Sequence, residues 1–473
     1  MPVRIRRLPA VATSGLILAL AALGCDPGEV EIQDLEVVDN PDNVLSAWVR
    51  WTTDRPATSR IEFGEGAPDR YASGSDEAVT DHEVLLFGVR AETEIQLQAI
   101  SRAEDGGEGR SEVTPYTTST PPFEGARFEL SNHDPDRAQP GWTLTNLVLG
   151  STLAPTIAVM LDEEGQPIWY HRMGDGVGSG DVEVSLVDGD DPANQRVLIG
   201  GGVAAYASPR EVDMAGRVIW EGPQQPEGLF AEGGMHHSFR RTDAGTYLAL
   251  RYAFDGQQLF DRVDELDTEG EAVWSWRSID HTGALGDDYP HGNNAMLGSD
   301  GDTVYFSSRY TSSLFKLDRD SGDVLWRLGE DGDFAFEGEH ATPWFLQAHA
   351  RQLLPGGGVL LYDNGAVDER EWSRAVEYAV DEDTMTASIA WEYPGELAED
   401  DWFTFAWGDA DRLENGNTLI CAGTLVGRQS QSRLFEVTAE GDKVWQVLLS
   451  VNDEEELAGD YMAQRIPVLL EEL

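Results

Sequence analysis

HGNNAMLGSDGDTVYFSSRYTSSLFKLDRDSGDVLW, residues 291–326, contains the pattern on which the fold prediction rests. Three short runs of apolar, β-branched and aromatic residues, NAML, TVYFSSR and SLFKLD, are separated by turns rich in Asp, Ser and Gly. Runs of this kind between Asp/Gly turns are typical of antiparallel strands joined by hairpins. The stretch therefore predicts three consecutive antiparallel strands.

The first hairpin brings polar side chains together at one end. Its turn centres at Asp300–Gly301, so residues whose numbers sum to about 601 are expected to face each other across the ladder. This register puts Arg309 beside Gly292 and diagonal to His291. Together with Asn293, the histidine and the guanidinium predict a site for an anion.

A second pattern recurs from about residue 123 onward: an aspartate or threonine, a turn that usually contains glycine, and then a tryptophan. Successive tryptophans of this pattern are 51, 54, 52, 65 and 54 residues apart. A period near 50 residues with several strands per repeat is typical of a β-propeller, and six copies predict six blades. Each tryptophan is expected to pack between neighbouring blades. The six are Trp169, Trp220, Trp274, Trp326, Trp391 and Trp445.

Two segments precede the repeat. Residues 1–25 combine a basic start with an apolar stretch too short to span a bilayer, which predicts a signal peptide. They end in ALGC, a lipobox-like pattern that predicts lipidation of Cys25; an ordinary secretory peptide is the alternative. Residues 26–122 have short alternating strands that predict a small antiparallel β-sandwich and linker, and their order of landmarks resembles a fibronectin type III module. His82 is expected at its surface. The predicted fold class is therefore all-β, with a six-bladed β-propeller over residues 123–473 preceded by this sandwich.

The chain is strongly acidic, with 86 Asp and Glu against 33 Lys and Arg and a net charge of −53. Because phosphate binding needs basic patches, nucleic acid is excluded as an expected partner. An acidic surface suited to saline surroundings is favoured over a protein with several calcium sites. Beyond residue 25 the one cysteine is Cys421, in the apolar run TLICAG. It is expected to be a buried structural thiol with no disulfide partner.

Histidine recurs at one position of the repeat. His237 and His349 each lie eight residues before a turn glycine, and His291 lies ten residues before one. The next copy has Gly408 at this position. The innermost strands of a propeller surround its central channel, so equivalent positions converge around the axis. Three histidines in register therefore predict a site at the mouth of the channel.

The facing-residue argument adds neighbours to this site, with Arg251 expected opposite His237 and Asn364 opposite His349. Three histidines also suit zinc or iron, so a metal site is a competing interpretation. Two arginines would repel a cation, however, and would attract an oxyanion. The predicted set is His237, Arg251, His291, Asn293, Arg309, His349 and Asn364.

From about residue 130 to the C-terminus, the sequence resembles the bacterial arylsulfate sulfotransferase family. The stretches that carry the resemblance are PGWTLTNL (140–147), HSFRRTDAGTYL (237–248), HGNN (291–294), YFSSRYTSSLFKLDRDSGDVLWRLG (305–329), QAHARQLLPGGGVLLYDNG (347–365), SRAVEYAVD (373–381) and RLENGNTLI (412–420). The resemblance implies a six-bladed propeller and ping-pong transfer of a sulfuryl group between phenols. It implies no nucleotide donor and no other cofactor.

The resemblance also implies roles for individual residues. His349 corresponds to the nucleophile that becomes transiently sulfated. Thr404 corresponds to a family threonine in a late blade. At the first histidine the chain has the pair His236 and His237, and the eight-residue spacing favours His237 as the member inside the site. The residues that match positions holding the sulfuryl oxygens are His237, His291, Asn293 and Arg309.

The expected substrates are small aryl sulfates and phenols. The expected location is periplasmic or at the cell surface, with membrane contact only through a lipid on Cys25, and a homodimer is left open. Two other functions also stay open. One is a non-catalytic propeller that binds an anion or a partner through the same histidines and arginines at the mouth of the channel. The other is a quinone-dependent dehydrogenase-like propeller, because residues 318–326 resemble the tryptophan docking repeat of those proteins.

Overall fold

The computed structural model describes residues 28–74, 77–123, 125–150, 156–173, 183–187, 195–200, 208–226, 230–282, 290–367, 369–394, 402–426, 431–451 and 457–473. The regular secondary structure in these ranges is almost entirely β-strand, and their one helix is the single turn α1 (Ile279–Thr282). No helix in them is long and apolar enough to cross a membrane. Residues 1–25 lie outside the described ranges, so the signal peptide and the lipidation of Cys25 stay predictions.

The first eight strands form two antiparallel sheets. They are β1 (Ile32–Asp39), β2 (Ala47–Ala57), β3 (Arg60–Gly64), β4 (Arg70–Ser73), β5 (Val79–Leu86), β6 (Glu94–Arg102), β7 (Glu108–Arg110) and β8 (Thr114–Thr117). One sheet has the order β1-β2-β5, and the other has β4-β3-β6-β7 with β8 also on β6. Inward-facing residues such as Trp51 and Phe63 are buried in a shared core. Alternating burial of this kind is what a two-sheet sandwich requires.

His82 belongs to this core, so its expected surface position is wrong. The side chain is buried, and its ring stacks on Trp51 at a centroid distance of 4.8 Å. Its two ring nitrogens bond the hydroxyls of Thr53 and Ser59 at 2.8 Å. The sequence pattern missed this because a histidine satisfied by two hydroxyls packs as an apolar ring would.

The remaining strands, apart from the last, form six further sheets within the described residues, and these are antiparallel except for one two-residue parallel pairing. In chain order they are β9 (Ala126–His133), β10 (Trp142–Gly150), β11 (Ile157–Leu161), β12 (Pro167–Arg172), β13 (Val184–Val187), β14 (Arg196–Ile199), β15 (Arg210–Asp213), β16 (Val218–Glu221), β17 (Met235–Arg241), β18 (Tyr247–Asp255), β19 (Gln258–Leu266), β20 (Ala272–Arg277), β21 (Gly292–Leu297), β22 (Thr303–Ser308), β23 (Ser313–Asp318), β24 (Val324–Leu328), β25 (Ala335–Phe336), β26 (His349–Leu353), β27 (Val359–Asp363), β28 (Arg374–Asp381), β29 (Thr386–Tyr393), β30 (Asp409–Arg412), β31 (Thr418–Ala422), β32 (Gln431–Val437), β33 (Lys443–Val451), β34 (Leu457–Gly459), β35 (Ala463–Ile466) and β36 (Glu471–Glu472).

The six sheets close into a ring. Four of them follow the chain directly, as β13-β14-β15-β16, β17-β18-β19-β20, β21-β22-β23-β24 and β26-β27-β28-β29. The other two contain strands from distant parts of the chain: β34 and β35 pair with β10, and β9 pairs with β33. Neighbouring sheets touch around the whole circuit, through β35 with β13, β14 with β17, β17 with β21, β21 with β26, β26 with β30, and β30 with β35. The predicted all-β propeller is confirmed.

The repeat tryptophans join one sheet to the next. The indole Nε1–H of Trp169 donates to the carbonyl of Met214 at 2.8 Å, and that of Trp220 donates to the carbonyl of Thr268 at 2.9 Å. Three more tryptophans make the equivalent bond. The pairs are Trp274 with Arg319, Trp391 with Ala439, and Trp445 with Glu163. In each case the acceptor directly follows the Asp or Thr of the next repeat's turn, so the two repeated residues act together across the junction.

Trp326 is the exception in the described part of the chain. Its Nε1 is buried and has no hydrogen-bond partner. At this junction an ion pair spans the two sheets instead, because Lys316 Nζ lies 2.7 Å from Glu382 Oε1. The ring of Trp326 still packs against Tyr305 and Phe334.

The sandwich rests on the turns of the first two propeller sheets. Arg90 pairs with Asp162 at 2.5 Å and with Glu164 at 2.6 Å, and Asn40 donates to the carbonyl of Ala215. The C-terminal strand β36, which the sequence assigns to the propeller segment, pairs with β4 of the sandwich. The two units are therefore joined by ion pairs, a hydrogen bond and a strand pairing as well as by the chain itself.

We expect Trp445→Phe to destabilise the protein more than Trp326→Phe does. Both tryptophans are buried and each has a cation over its ring, so the loss of ring size costs both variants a similar amount. Only Trp445→Phe also removes a sheet-joining hydrogen bond, worth about 0.5–1.5 kcal/mol. Urea unfolding of the two variants measures the difference. A larger cost for Trp326→Phe would contradict a stabilising role for this bond.

Candidate active site

The three predicted histidines lie where three successive inner strands begin, and each strand is irregular there. The ladder register shifts between Met235 and Phe239, beside Asn293, and just after His349. His237 and His291 have positive φ angles of 55° and 56°, which is uncommon for residues other than glycine. Such conformations persist only where the surrounding structure holds them in place, and they are frequent at functional sites.

The irregular backbone brings the three imidazole rings together. The centroid of His237 lies 5.0 Å from that of His291 and 6.1 Å from that of His349. His237 and His349 are almost completely buried, at 3% and 1% exposure, while His291 is partly buried. The prediction placed these side chains at one channel mouth, and the structure brings them into contact there.

Tyr461 is a fourth member of this cluster, and the sequence analysis missed it. Its ring centroid lies 6.1 Å from that of His237 and 6.2 Å from that of His349. Its hydroxyl donates to the carbonyl of Asn293 at 3.2 Å. The residue precedes β35, which joins the first propeller sheet from the C-terminal end of the chain. Only recognition of that ring closure could have placed Tyr461 at the axis.

Hydrogen bonds fix the tautomer of His349. The amide nitrogen of Asn364 donates to the carbonyls of Thr404 and Trp407, each at 2.8 Å, so its Oδ1 must face the other way. That oxygen lies 2.7 Å from His349 Nδ1, which therefore carries the proton. A neutral imidazole has one protonated nitrogen, so Nε2 of His349 holds a lone pair.

Two residues that were predicted to bind substrate, Asn364 and Thr404, instead support His349 through contacts with protein groups. The side-chain oxygen and nitrogen of Asn364 are bonded to protein groups, and Asn364 is fully buried. Thr404 is also buried, and its hydroxyl bonds the Tyr362 hydroxyl at 2.7 Å. In this arrangement Asn364 orients the imidazole of His349, and Thr404 supports Asn364.

Arg309 lies directly opposite His291. The predicted pairing with Gly292 is wrong by one residue, because Asn293 forms a bulge and Gly292 faces Ser308. The backbone N–H of Arg309 donates to the carbonyl of His291 at 2.9 Å. Its guanidinium donates to the Gln347 side chain and to the Phe405 carbonyl. Among the described residues no carboxylate forms an ion pair with Arg309, so its charge is available to an anion.

Asn293 has an amide that is only partly engaged. Its Nδ2 donates to the carbonyl of Ala348 at 2.9 Å, and its Oδ1 is buried without a hydrogen-bond partner in the described ranges. The second Nδ2 hydrogen is a further donor. The residue thus ties the strand of His291 to the residue before His349.

Arg251 does not face His237 as predicted. The register places it opposite Met235, because the irregularity at His236 and His237 interrupts the ladder. Its guanidinium donates to the carbonyl of Gly233 at 2.9 Å and to Asp264 at 3.2 Å. Arg251 therefore stabilises the sheet beside the site.

His236 points away from the other histidines. Its ring stacks on Tyr252 at a centroid distance of 4.0 Å, and its Nε2 lies 3.1 Å from Asp261 Oδ1. It touches the cluster only through His237, where the two Nδ1 atoms are 3.0 Å apart. Of the two neighbours, His237 is therefore the one beside His291 and His349.

Burial keeps the two deepest histidines neutral. Desolvation, followed by the nearby Arg309, lowers the pKa of His349 to about 3. The pKa of His237 lies well below its usual value, first because of desolvation and then because of the neighbouring His291 and His236. Within the described residues no three His, Cys, Asp or Glu side chains form a group that could hold a metal ion. The cluster therefore combines the neutral imidazoles of His237 and His349 with the guanidinium charge of Arg309.

The opposite end of the channel has a different character. The inner strands enclose a cavity of about 820 Å³ there, lined by carboxylates that include Glu183, Asp409 and Asp411. Arg240 Nε lies 2.5 Å from Glu183 Oε1. Burial raises the pKa of Asp411 to about 6, and burial next to Asp411 raises that of Asp409 well above its usual value. Carboxylates outnumber the two lining arginines, Arg240 and Arg241, so an anion is less favoured there than at the histidine end.

Comparison with known proteins identifies one family. The family model described as arylsulfotransferase (ASST) matches residues 143–459, about two thirds of the chain. No curated protein is similar enough to count as a match. A solved structure of a putative 6-phosphogluconolactonase from Bacteroides uniformis is 11% identical, with a TM-score of 0.34, and the likeness covers 89% of this chain and 100% of that chain. The β-propeller domain of Cps50 (Swd1) from Myceliophteria thermophila is 9% identical, with a TM-score of 0.36, covering 71% and 99%. Similarity at these TM-scores is too loose to bear on function.

We expect Arg309→Gln to raise the pKa of His349 from about 3. The substitution removes a nearby positive charge that opposes protonation, while desolvation still keeps the pKa below the usual value of about 6.5. NMR titration of ¹⁵N-labelled histidines measures the change. Arg277→Gln, which removes an exposed arginine elsewhere on the propeller, is the matched control and should leave the pKa of His349 unchanged. An unaltered pKa in Arg309→Gln would show that the guanidinium does not act on this imidazole.

Proposed function

The chain belongs to the arylsulfotransferase family and is an aryl-sulfate sulfotransferase, and from that premise we propose that it works through a covalent sulfohistidine at His349. The observation that carries this proposal is the tautomer of His349. Asn364 holds the proton on Nδ1, which leaves the Nε2 lone pair as a nucleophile inside the histidine cluster. The low pKa of His349 keeps that lone pair free at neutral pH.

The first half-reaction moves the sulfuryl group onto the protein. His349 Nε2 attacks the sulfur of an aryl sulfate, the N–S bond forms, and the S–O bond to the aromatic ring breaks. The departing phenolate takes the bonding electron pair. A neutral imidazole suits this step because it needs no base to activate it.

Fixed donors around His349 stabilise the transferring group. The charge of Arg309 is free of carboxylate partners in the described part of the site, and Asn293 retains an amide hydrogen. Preorganised donors of this kind act where charge develops and need no reorganisation during the reaction. Arg309 also disfavours protonation of His349, so the same charge supports both the substrate and the nucleophile.

The second half-reaction reverses the first with a different phenol. The oxygen of the acceptor attacks the sulfur, the N–S bond breaks, and its electron pair returns to His349 Nε2. The acceptor loses a proton to a neighbouring base, and the cluster offers imidazoles for that purpose. The proposal also includes aryl sulfates and phenols as substrates, the absence of a nucleotide donor, and export with a lipid on Cys25.

We expect nitrophenyl sulfate to give a burst of nitrophenolate without an acceptor, and steady turnover once a phenol is added. His349→Ala should abolish both, because the nucleophile is gone. His281→Ala, which removes an exposed histidine outside the channel, should retain both. Mass spectrometry of the alkali-quenched burst should find one sulfuryl group on the peptide that contains His349. Release of nitrophenolate by His349→Ala would sink the assignment, and no release by the wild type with any phenol would favour a binding module.

We also expect the KM for the anionic sulfate ester to fall as salt rises. The net charge of −53 repels an anion, and salt from about 0.05 to 0.5 M screens this long-range field more than it screens contacts inside the buried site. The KM for a neutral phenol acceptor serves as the control and should change little. A KM for the sulfate ester that rises with salt would show that local attraction dominates.

A further inference from the structure

Three buried side chains form a line that ends at the histidine cluster. Asp261 Oδ1 lies 3.1 Å from His236 Nε2, and His236 Nδ1 lies 3.0 Å from His237 Nδ1. The three side chains are between 1% and 3% exposed. The other carboxylate oxygen of Asp261 accepts the backbone N–H of Gly292 at 2.6 Å, so the line also reaches the strand that follows His291.

The charge of Asp261 and the hydrogen bond between the two Nδ1 atoms assign the protons along this line. The Asp261 carboxylate lies 3.1 Å from His236 Nε2, and its negative charge favours a proton on that nitrogen. A neutral His236 then has a bare Nδ1, and the facing Nδ1 of His237 must carry the proton that the two atoms share. This leaves Nε2 of His237 as an acceptor on the side of the ring away from His236.

We propose that Asp261 and His236 are positioning residues that make His237 the general base for the acceptor phenol. This inference rests on the proposed sulfuryl transfer and extends it. As the acceptor attacks the sulfohistidine, its hydroxyl proton passes to His237 Nε2. The Nδ1 proton of His237 then moves toward His236, and the positive charge is shared along a line that ends at a carboxylate.

The proton balance closes over one catalytic cycle. The second half-reaction stores one proton on the His237–His236 pair. The next first half-reaction returns it, from His237 Nε2 to the departing phenolate. Each turnover therefore moves one proton from the acceptor phenol to the released phenol, and no other acid or base is consumed.

The Asp261 carboxylate offsets the effect of burial, which disfavours a positive charge on His237. Desolvation, followed by the neighbouring His291, His236, His349 and Arg309, lowers the pKa of His237 and so disfavours a positive charge on its ring. The Asp261 carboxylate is the negative group at the far end of the line, and His236 connects it to His237. The Asp261–His236 contact has the length of an ion pair without straight hydrogen-bond geometry, so it strengthens when His236 becomes charged.

Asp261→Asn tests the proposal because it should change which ring nitrogens of His236 and His237 carry protons. The asparagine oxygen can still accept the Gly292 N–H, while its amide donates to His236 Nε2. Both histidines then change tautomer, and His237 Nε2 acquires a proton and ceases to be a base. The wrong tautomer should lower turnover at least about tenfold, since general bases contribute about 10²–10⁴-fold.

The expected loss depends on the acceptor. Turnover with an alkylphenol, which is protonated at the assay pH, should fall at least about tenfold. Turnover with a phenol that is already ionised at that pH should stay within about twofold, because it has no proton to give up. The nitrophenolate burst should also persist, because nitrophenolate is a good leaving group that needs little protonation. Asp255→Asn, which removes an exposed carboxylate from the same strand pair, should behave as the wild type does.

A second readout does not depend on activity. The ¹⁵N shifts of His236 should report a proton on Nε2 in the wild type and on Nδ1 in Asp261→Asn. If Asp261→Asn fails to fold, His236→Gln should give the same dependence on the acceptor, because glutamine cannot pass a proton from one nitrogen to another.

An equal loss with both kinds of acceptor, or unchanged ¹⁵N shifts, would overturn the relay. Absence of a burst in the wild type would instead count against the sulfohistidine at His349. In that case the ¹⁵N measurement still decides the tautomers of the pair.

Discussion

The indole-to-carbonyl hydrogen bond between neighbouring sheets is the interaction on which the rest of this structure depends. At five of the six junctions in the described residues, a tryptophan N–H donates to the carbonyl that follows the turn Asp or Thr of the next sheet. The bond from Trp445 to Glu163 joins the last sheet to the first. A closed ring defines an axis, and only a defined axis lets histidines from separate sheets meet at 5–6 Å.

The sequence repeat made two features predictable. The spacing of the tryptophans predicted the propeller, and the equivalent positions of His237, His291 and His349 in their repeats predicted that these side chains lie close together. Register was less predictable. Bulges beside the histidines shift the ladder by one or two residues, which moves Arg309 opposite His291 and Arg251 opposite Met235. Contacts between distant segments could not be predicted at all. Tyr461 reaches the cluster from beside β35, and Asp261 reaches His236 from β19, two strands away in the same sheet. Neither contact leaves a periodic pattern in the sequence.

Electrostatics inside the channel differ sharply from those of the surface. The chain has a net charge of −53, yet the histidine end holds the neutral imidazoles of His237 and His349 and the guanidinium of Arg309. Burial explains the contrast, since desolvation is the largest cause of the low pKa of both His237 and His349. The same effect raises the pKa of Asp409 and Asp411 at the opposite end. Burial therefore gives the site electrostatic properties that differ from those of the acidic protein surface.

The exchange of strands between the chain ends bears on how the protein is made. Strand β35 and the adjoining Tyr461 complete the first sheet and one wall of the histidine cluster, and both follow β10 by more than 300 residues. A nascent chain therefore lacks its complete site until Tyr461 and β35 have been synthesised. A truncated or stalled product would have every histidine and still no pocket to hold them. For this fold, closure of the ring by these distant residues is what completes the histidine cluster.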